Sequence, residues 1–304
     1  METCRSCGCK GIRTCLICEE QFGIKKPTIV ERNINSYTYC VQCNKCWPGW
    51  NVQNNHPNHT GESIEFPGVH VQLNFLSDSE EKLLLNGIGK IPWDQSQSGR
   101  RKQNFGPKCN FKKHKLSLGN FRGFPAFSRF VQDKFKAVSI LEDFQTIEQC
   151  SLEYDPKRGA SIDPHVDDCW IWGERVVTVN LLSESVLTLI RNKHPERYNL
   201  DQVQHYPSVL KKDGSRDTSG DCFVPANESE ESYIVRVPMP RRSLLVLYNS
   251  ARYEWEHMVL REDINETRIC IAYREFTPTY LPGGEKCLQG KDVLDVAKIF
   301  IENT

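Results

Sequence analysis

Apolar and polar positions change rhythm three times along this chain. Residues 1–61 hold almost no aliphatic periodicity. From residue 62 the text becomes that of a folded domain: Val69, Val71 and Leu73 alternate with period two, which predicts a short strand. Ser77-Asp78-Ser79-Glu80 ahead of Leu83, Leu84 and Leu85 is a capping box opening a helix. After Arg175 the apolar runs are short, β-branched and bounded by turn-formers: Val176–Val179, Leu244–Tyr248 and Arg268–Tyr273. The second half therefore reads as all-β. Residues 191–232 interrupt it with Asn, Asp, Ser, Gly and Glu, and are expected to be a long, partly disordered inserted loop.

The domain organisation that follows is a cysteine-rich module over 1–61 and a mainly β domain with flanking helices over 62–304. A length of 304 residues suffices for one large core plus an appendage. Formal charge balances at +0, so any preference for nucleic acid must come from local patches. One such patch lies between Asp94 and Asp133, where no acidic residue occurs and Arg100, Arg101, Lys102, Lys108, Lys112, Lys113, Lys115, Arg122 and Arg129 alternate with phenylalanines. No apolar run is long enough to span a bilayer and no leader is evident at the start, so a soluble, intracellular protein without a membrane partner is expected.

Eight of the fourteen cysteines fall within the first 46 residues, and in a reducing compartment clustered thiols bind metal more often than they form disulfides. Cys7, Cys9, Cys15 and Cys18 offer four thiolates within twelve residues, the donor set of a structural zinc site. A second group, Cys40, Cys43 and Cys46, would take Cys4 as a fourth ligand, with His56 and His59 close behind; its spacing is also that of part of an iron–sulfur run.

His165 and Asp167 stand two residues apart, which on one strand places an imidazole and a carboxylate on the same face. With His257 they make the two-histidine, one-carboxylate set that holds non-haem iron(II) and leaves positions open. With eight histidines in the chain, H-x-D alone is weak. Arg268 and Arg274 strengthen it: six residues apart, they share one strand face while Ile269, Ile271 and Tyr273 take the other. Two guanidinium groups turned into a barrel need an anion, and a dicarboxylate meets that need with bidentate geometry.

The order His165-x-Asp167, His257, Arg268, Arg274 resembles the signature of the AlkB-type dioxygenases over roughly residues 64–280. The stretches Cys7–Cys18, Gln97–Gln103 and Ile162–Asp168 are similar to its fourth-homologue branch in animals. This resemblance implies a double-stranded β-helix (jelly roll) with the triad inside, iron(II), 2-oxoglutarate and O2 as cofactors, and oxidative demethylation with release of formaldehyde. By resemblance Arg268 grips the distal carboxylate of 2-oxoglutarate, and Arg274 and Tyr154 lie beside it. Leu152 departs from the pattern, since many members carry Asn there. Arg100, Arg101, Lys102 and Phe105 fall where the family carries a substrate lid. The branch implies a methylated protein substrate, monomethyl-lysine of actin, or N6-methyladenine in DNA, and a cytoplasmic and nuclear location. Two alternatives stand: a silent jelly roll serving as a zinc-containing interaction scaffold, and a protein hydroxylase using the same cofactors.

Overall fold

The computed structural model describes residues 5–27, 35–52, 55–225 and 233–302. In chain order the strands are β1 (Asn35–Cys40), β2 (Lys45–Pro48), β3 (Ile64–Glu65), β4 (Val69–Gln72), β5 (Asp94–Gln95), β6 (Arg101–Phe105), β7 (Lys108–Asn110), β8 (Lys115–Ser117), β9 (Phe124–Pro125), β10 (Glu148–Tyr154), β11 (Ile162–His165), β12 (Trp172–Leu181), β13 (Ser185–Arg191), β14 (Tyr233–Met239), β15 (Leu244–Leu247), β16 (Trp255–Val259), β17 (Arg268–Phe276) and β18 (Phe300–Ile301). The helices are α1 (Leu16–Phe22), α2 (Asp78–Gly89), α3 (Arg129–Phe135), α4 (Asn249–Tyr253) and α5 (Cys287–Val296). With α4 and α5, the second half is not all-β. No helix among the described residues is long and apolar enough to cross a membrane.

Two sheets face each other. One runs β11-β16-β13-β14-β1-β2-β3, the other β4-β15-β12-β17-β10-β6-β5. From β10 to β17 the chain steps repeatedly between them, so four strands of each sheet, β11-β16-β13-β14 and β10-β17-β12-β15, form a double-stranded β-helix. The inner faces close on a core that includes Tyr154, Val176, Leu189, Val235, Val237, Leu245, Leu247 and Cys270. The outer face of the second sheet presents Val177, Val179, Ile269, Ile271 and Tyr273 to α2 and α3, which cover it with Leu84, Ile88, Val131 and Phe135. The alternation along β17 is the one its sequence predicts: apolar residues face the helices and arginines face inward.

Helix α2 starts as its sequence dictates. Ser77 Oγ accepts from the Glu80 N–H, and Glu80 accepts from the Ser77 N–H at 2.8 Å. Residues from the cysteine-rich start also enter the fold: β1 lies parallel to β14, with Tyr37 opposite Val235, and β2 returns beside it. The inserted segment is more ordered than its composition suggests over 191–225, whereas 226–232 lie outside the described residues. After a short 3-10 turn at Pro195–Arg197, a second at Leu200–His205 carries Val203, which packs with Phe223 and Tyr253 against Val166 and Cys169. Few but well-placed apolar residues outweigh the polar composition here.

Candidate active site

His165 is the last residue of β11 and pairs across the ladder with His257 in the middle of β16. That register brings their rings to 4.2 Å between centroids. Asp167 does not share the strand with His165, as the two-residue spacing suggested. The strand ends at His165, and Asp167 reaches the site from the following loop, where Arg274 fixes it. Arg274 donates through Nε to Asp167 Oδ2 at 2.8 Å and through Nη2 to Oδ1 at 3.2 Å. Its remaining Nη1 donates to Glu148 at 2.6 Å. The carboxylate then stands 3.7 Å from His165 Nε2, and the three donor atoms of His165, Asp167 and His257 lie within 4.8 Å of one another.

Electrostatics suit a cation at that point. Burial holds both imidazoles below their ordinary range, so each keeps a lone pair for a metal. Burial pushes the Asp167 carboxyl up, but the Arg274 guanidinium outweighs it and holds the group ionised well below the usual carboxylate range. His165 Nδ1 lies 2.9 Å from the Asp163 carbonyl, which leaves Nε2 facing its co-ligands.

The two arginines of β17 divide the work. Arg274 is already neutralised by two carboxylates. Arg268 is 1% exposed and has no carboxylate partner among the described residues: Nε donates to Asn180 Oδ1 at 2.6 Å, Nη2 approaches Met239 Sδ at 3.5 Å, and Nη1 is buried without a hydrogen-bond partner among them. Its guanidinium lies over the Tyr154 ring, 4.8 Å from the centroid, and Arg100 approaches the same ring at 5.9 Å. A buried, unpaired guanidinium beside a second arginine calls for an anion.

The lid residues separate. Arg101–Phe105 is a regular strand paired with β10. Arg101 is engaged by Glu153 at 2.5 Å and rests over Trp93. Lys102 stands opposite Leu152, whose side chain packs against the inner core, so the two share a face. Phe105 packs with the cluster of Phe121, Phe124 and Trp170. Arg100 lies over the Tyr154 ring.

The human "alpha-ketoglutarate-dependent dioxygenase alkB homolog 4" is 39% identical over 302 residues, covering 98% of this chain and 95% of that protein. Its mouse counterpart is 39% identical over 303 residues, covering 97% and 95%. The chain belongs to the AlkB family. It is a 2-oxoglutarate-dependent dioxygenase. A Caenorhabditis elegans "DNA N6-methyl adenine demethylase" is also similar, 33% identical over 299 residues, covering 92% of this chain and 90% of that protein. No family model matches the chain.

The residues present fit the cofactors that AlkB-type dioxygenases use. Two neutral imidazoles and one ionised carboxylate are the iron(II) donor set. Arg268 Nη1, buried with no hydrogen-bond partner among the described residues, has the chemistry to receive a carboxylate such as those of 2-oxoglutarate. Sequence reasoning missed the hairpin beside the lid. Strands β7 and β8 carry at their tip Phe111, 47% exposed, and His114, which stacks on Trp170 at 5.4 Å. Phe111 also meets Trp170 and Trp172, and Trp172 lies 5.5 Å under Arg274, the partner of Asp167. The signal was in the sequence as Asn110-Phe111-Lys112-Lys113-His114, a turn rich in Lys between two short runs.

Cys7, Cys9, Cys15 and Cys18 also converge, with all four sulfurs within 4.8 Å. Cys15 precedes α1, whose first turn returns Cys18 beneath it, 3.2 Å from the Cys15 N–H. This cluster abuts the active-site frame. Gly99, at φ +75°, could not carry a side chain because a Cβ would lie 2.7 Å from the Arg158 carbonyl and 3.1 Å from Cys15 Cβ. Lys26 pairs with Asp163, two residues before His165, at 3.1 Å.

Proposed function

We propose that this dioxygenase removes N-methyl groups as formaldehyde, with N6-methyladenine in DNA as its substrate. The observation that supports this reading most is the β7–β8 hairpin. It sets an exposed aromatic ring and a stacked imidazole among Lys108, Lys112, Lys113 and Lys115. Aromatic faces stack a base and lysines meet phosphates, a combination that suits a nucleotide removed from its helix.

His165, Asp167 and His257 would hold iron(II), which with 2-oxoglutarate and O2 would supply the oxidation: succinate and carbon dioxide from the cosubstrate, and an N-hydroxymethyl product that loses formaldehyde. Arg268 would receive the distal carboxylate of the cosubstrate, with Tyr154 flanking it. Arg274 keeps Asp167 ionised and oriented, a charge-assisted pair worth more in this buried setting than at the surface. Trp170 and Trp172, both buried and in ring contact with Phe111, would give the approach an apolar wall. A structural zinc ion at Cys7, Cys9, Cys15 and Cys18 would brace the turn leading to Arg100.

A second reading, monomethyl-lysine of a protein such as actin, draws support from Asp168. Its Oδ1 is buried without a hydrogen-bond partner next to Trp170, and a carboxylate beside an aromatic face attracts a methylammonium. Formaldehyde release from an N6-methyladenine oligonucleotide and from a methyl-lysine peptide, under one set of conditions, tests both. Release is expected with the oligonucleotide, falling at least tenfold in a Lys112→Glu, Lys113→Glu variant that keeps succinate formation without substrate. Release with the peptide alone would transfer the assignment to Asp168 and a lysine substrate.

A further inference from the structure

Away from the active site, four more donors converge: Cys40 at the end of β1, Cys43 in the turn before β2, and His56 and His59 in the segment that follows. We propose that these four residues bind one tetrahedral zinc ion, separate from both the catalytic triad and the Cys7–Cys18 cluster. Cys46, which the spacing grouped with Cys40 and Cys43, is excluded: it points the other way on β2, is fully buried in the core, and burial raises its thiol far above the ordinary range. Cys4 lies outside the described residues. The two histidines take their places.

The geometry carries the assignment. Cys40 Sγ is 3.9 Å from His56 Nδ1, Cys43 Sγ is 3.8 Å from His59 Nε2, and all four donor atoms lie within 4.8 Å of one another. With zinc–sulfur and zinc–nitrogen bonds of about 2.3 and 2.1 Å, the sulfur–nitrogen edge of a tetrahedron is about 3.6 Å, close to both separations. The ligands are also held in place. Asn44, at φ +57°, turns the chain and donates from its N–H to the Cys40 carbonyl at 2.9 Å, so both thiols face one side. The Trp47 indole donates to Cys43 Sγ at 3.4 Å and stacks on the His59 ring at 4.4 Å between centroids. Partners that orient ligands in this way are typical of built metal sites. Around them His56, Pro57, Asn58 and Thr60 are exposed and the segment forms no helix or strand, so apolar burial is a weak anchor for it. A zinc ion neutralised by two thiolates would tie it to the β1–β2 hairpin, and β1 continues the sheet that contains His257.

Zinc content of the full-length, iron-loaded protein tests this. Cys43→Ser and His59→Ala variants should each contain one equivalent less zinc than the parent, with succinate formation retained. Cobalt(II) substitution should give a parent-minus-variant difference spectrum with the visible bands of a tetrahedral two-sulfur, two-nitrogen site. Zinc X-ray absorption on a His165→Ala, His257→Ala protein gives a reading that leaves all four proposed ligands intact. An imidazole outer shell is expected, since the catalytic histidines are gone. A sulfur-only shell, a Cys40–Cys43 disulfide in the purified protein, or unchanged zinc in folded variants would overturn the proposal.

Discussion

Arg268 is a cation in a place where cations are expensive, and its Nη1 has no hydrogen-bond partner among the described residues. Replacing it with Lys keeps charge but loses the planar fork. We expect KM for 2-oxoglutarate to rise at least tenfold in Arg268→Lys while kcat at saturation changes far less, measured as succinate formed against cosubstrate concentration. Arg274 behaves differently because its charge is spent on Asp167 and Glu148. In Arg274→Gln the carboxylate loses its orienting partner, so iron(II) affinity should fall about 10- to 100-fold by titration, with KM for 2-oxoglutarate moving less. Both arginines were legible in the sequence as one strand face. Their division of labour was not, because Glu148 and Asp167 reach Arg274 from 126 and 107 positions away.

Local rules govern some elements and distant contacts decide others. The capping box at Ser77 is a local signal, and Ser77→Ala should cost about 1 kcal/mol of stability by denaturant melting. The H-x-D pair was legible as chemistry but not as a shared strand: β11 stops at His165, and an ion pair from β17 completes the convergence. Strand β1 was illegible for the same reason, since its parallel partner β14 lies nearly 200 residues on and no periodicity announces such a pairing. The inserted segment is anchored by Glu174, which accepts from the N–H groups of Val209 and Leu210 at 2.6 and 3.1 Å. Burial lifts this carboxyl from 4.5 to about 7. The folded state therefore holds the proton more tightly than the unfolded chain. That stabilisation is complete below about pH 4.5 and is lost as pH rises through about 7. Between pH 5 and 7.5 the Tm of the wild type should fall relative to that of Glu174→Gln; parallel Tm curves would show that Glu174 does not titrate there.

The molecule as a whole combines a jelly roll with additions that each touch its catalytic frame. The insert covers Val166, between two triad residues, the cysteine cluster abuts Gly99 and reaches Asp163 through Lys26, and the β7–β8 hairpin lies over Trp170 and Trp172. The order of His165, Asp167, His257 and the two arginines carried the resemblance that implied the jelly roll, because donor residues and strand faces are written locally. The additions depend on a few contacts within polar stretches, which composition hides. The most direct test of the account is succinate and formaldehyde release by purified protein with iron(II), 2-oxoglutarate and an N6-methyladenine oligonucleotide, beside a His165→Ala, Asp167→Ala control. Formaldehyde is expected only with the oligonucleotide, matched by a rise of succinate above its substrate-free level, and both vanish in the control. Absence of succinate under every condition would contradict this and favour the silent scaffold, and oligonucleotide-stimulated succinate without formaldehyde would favour hydroxylation.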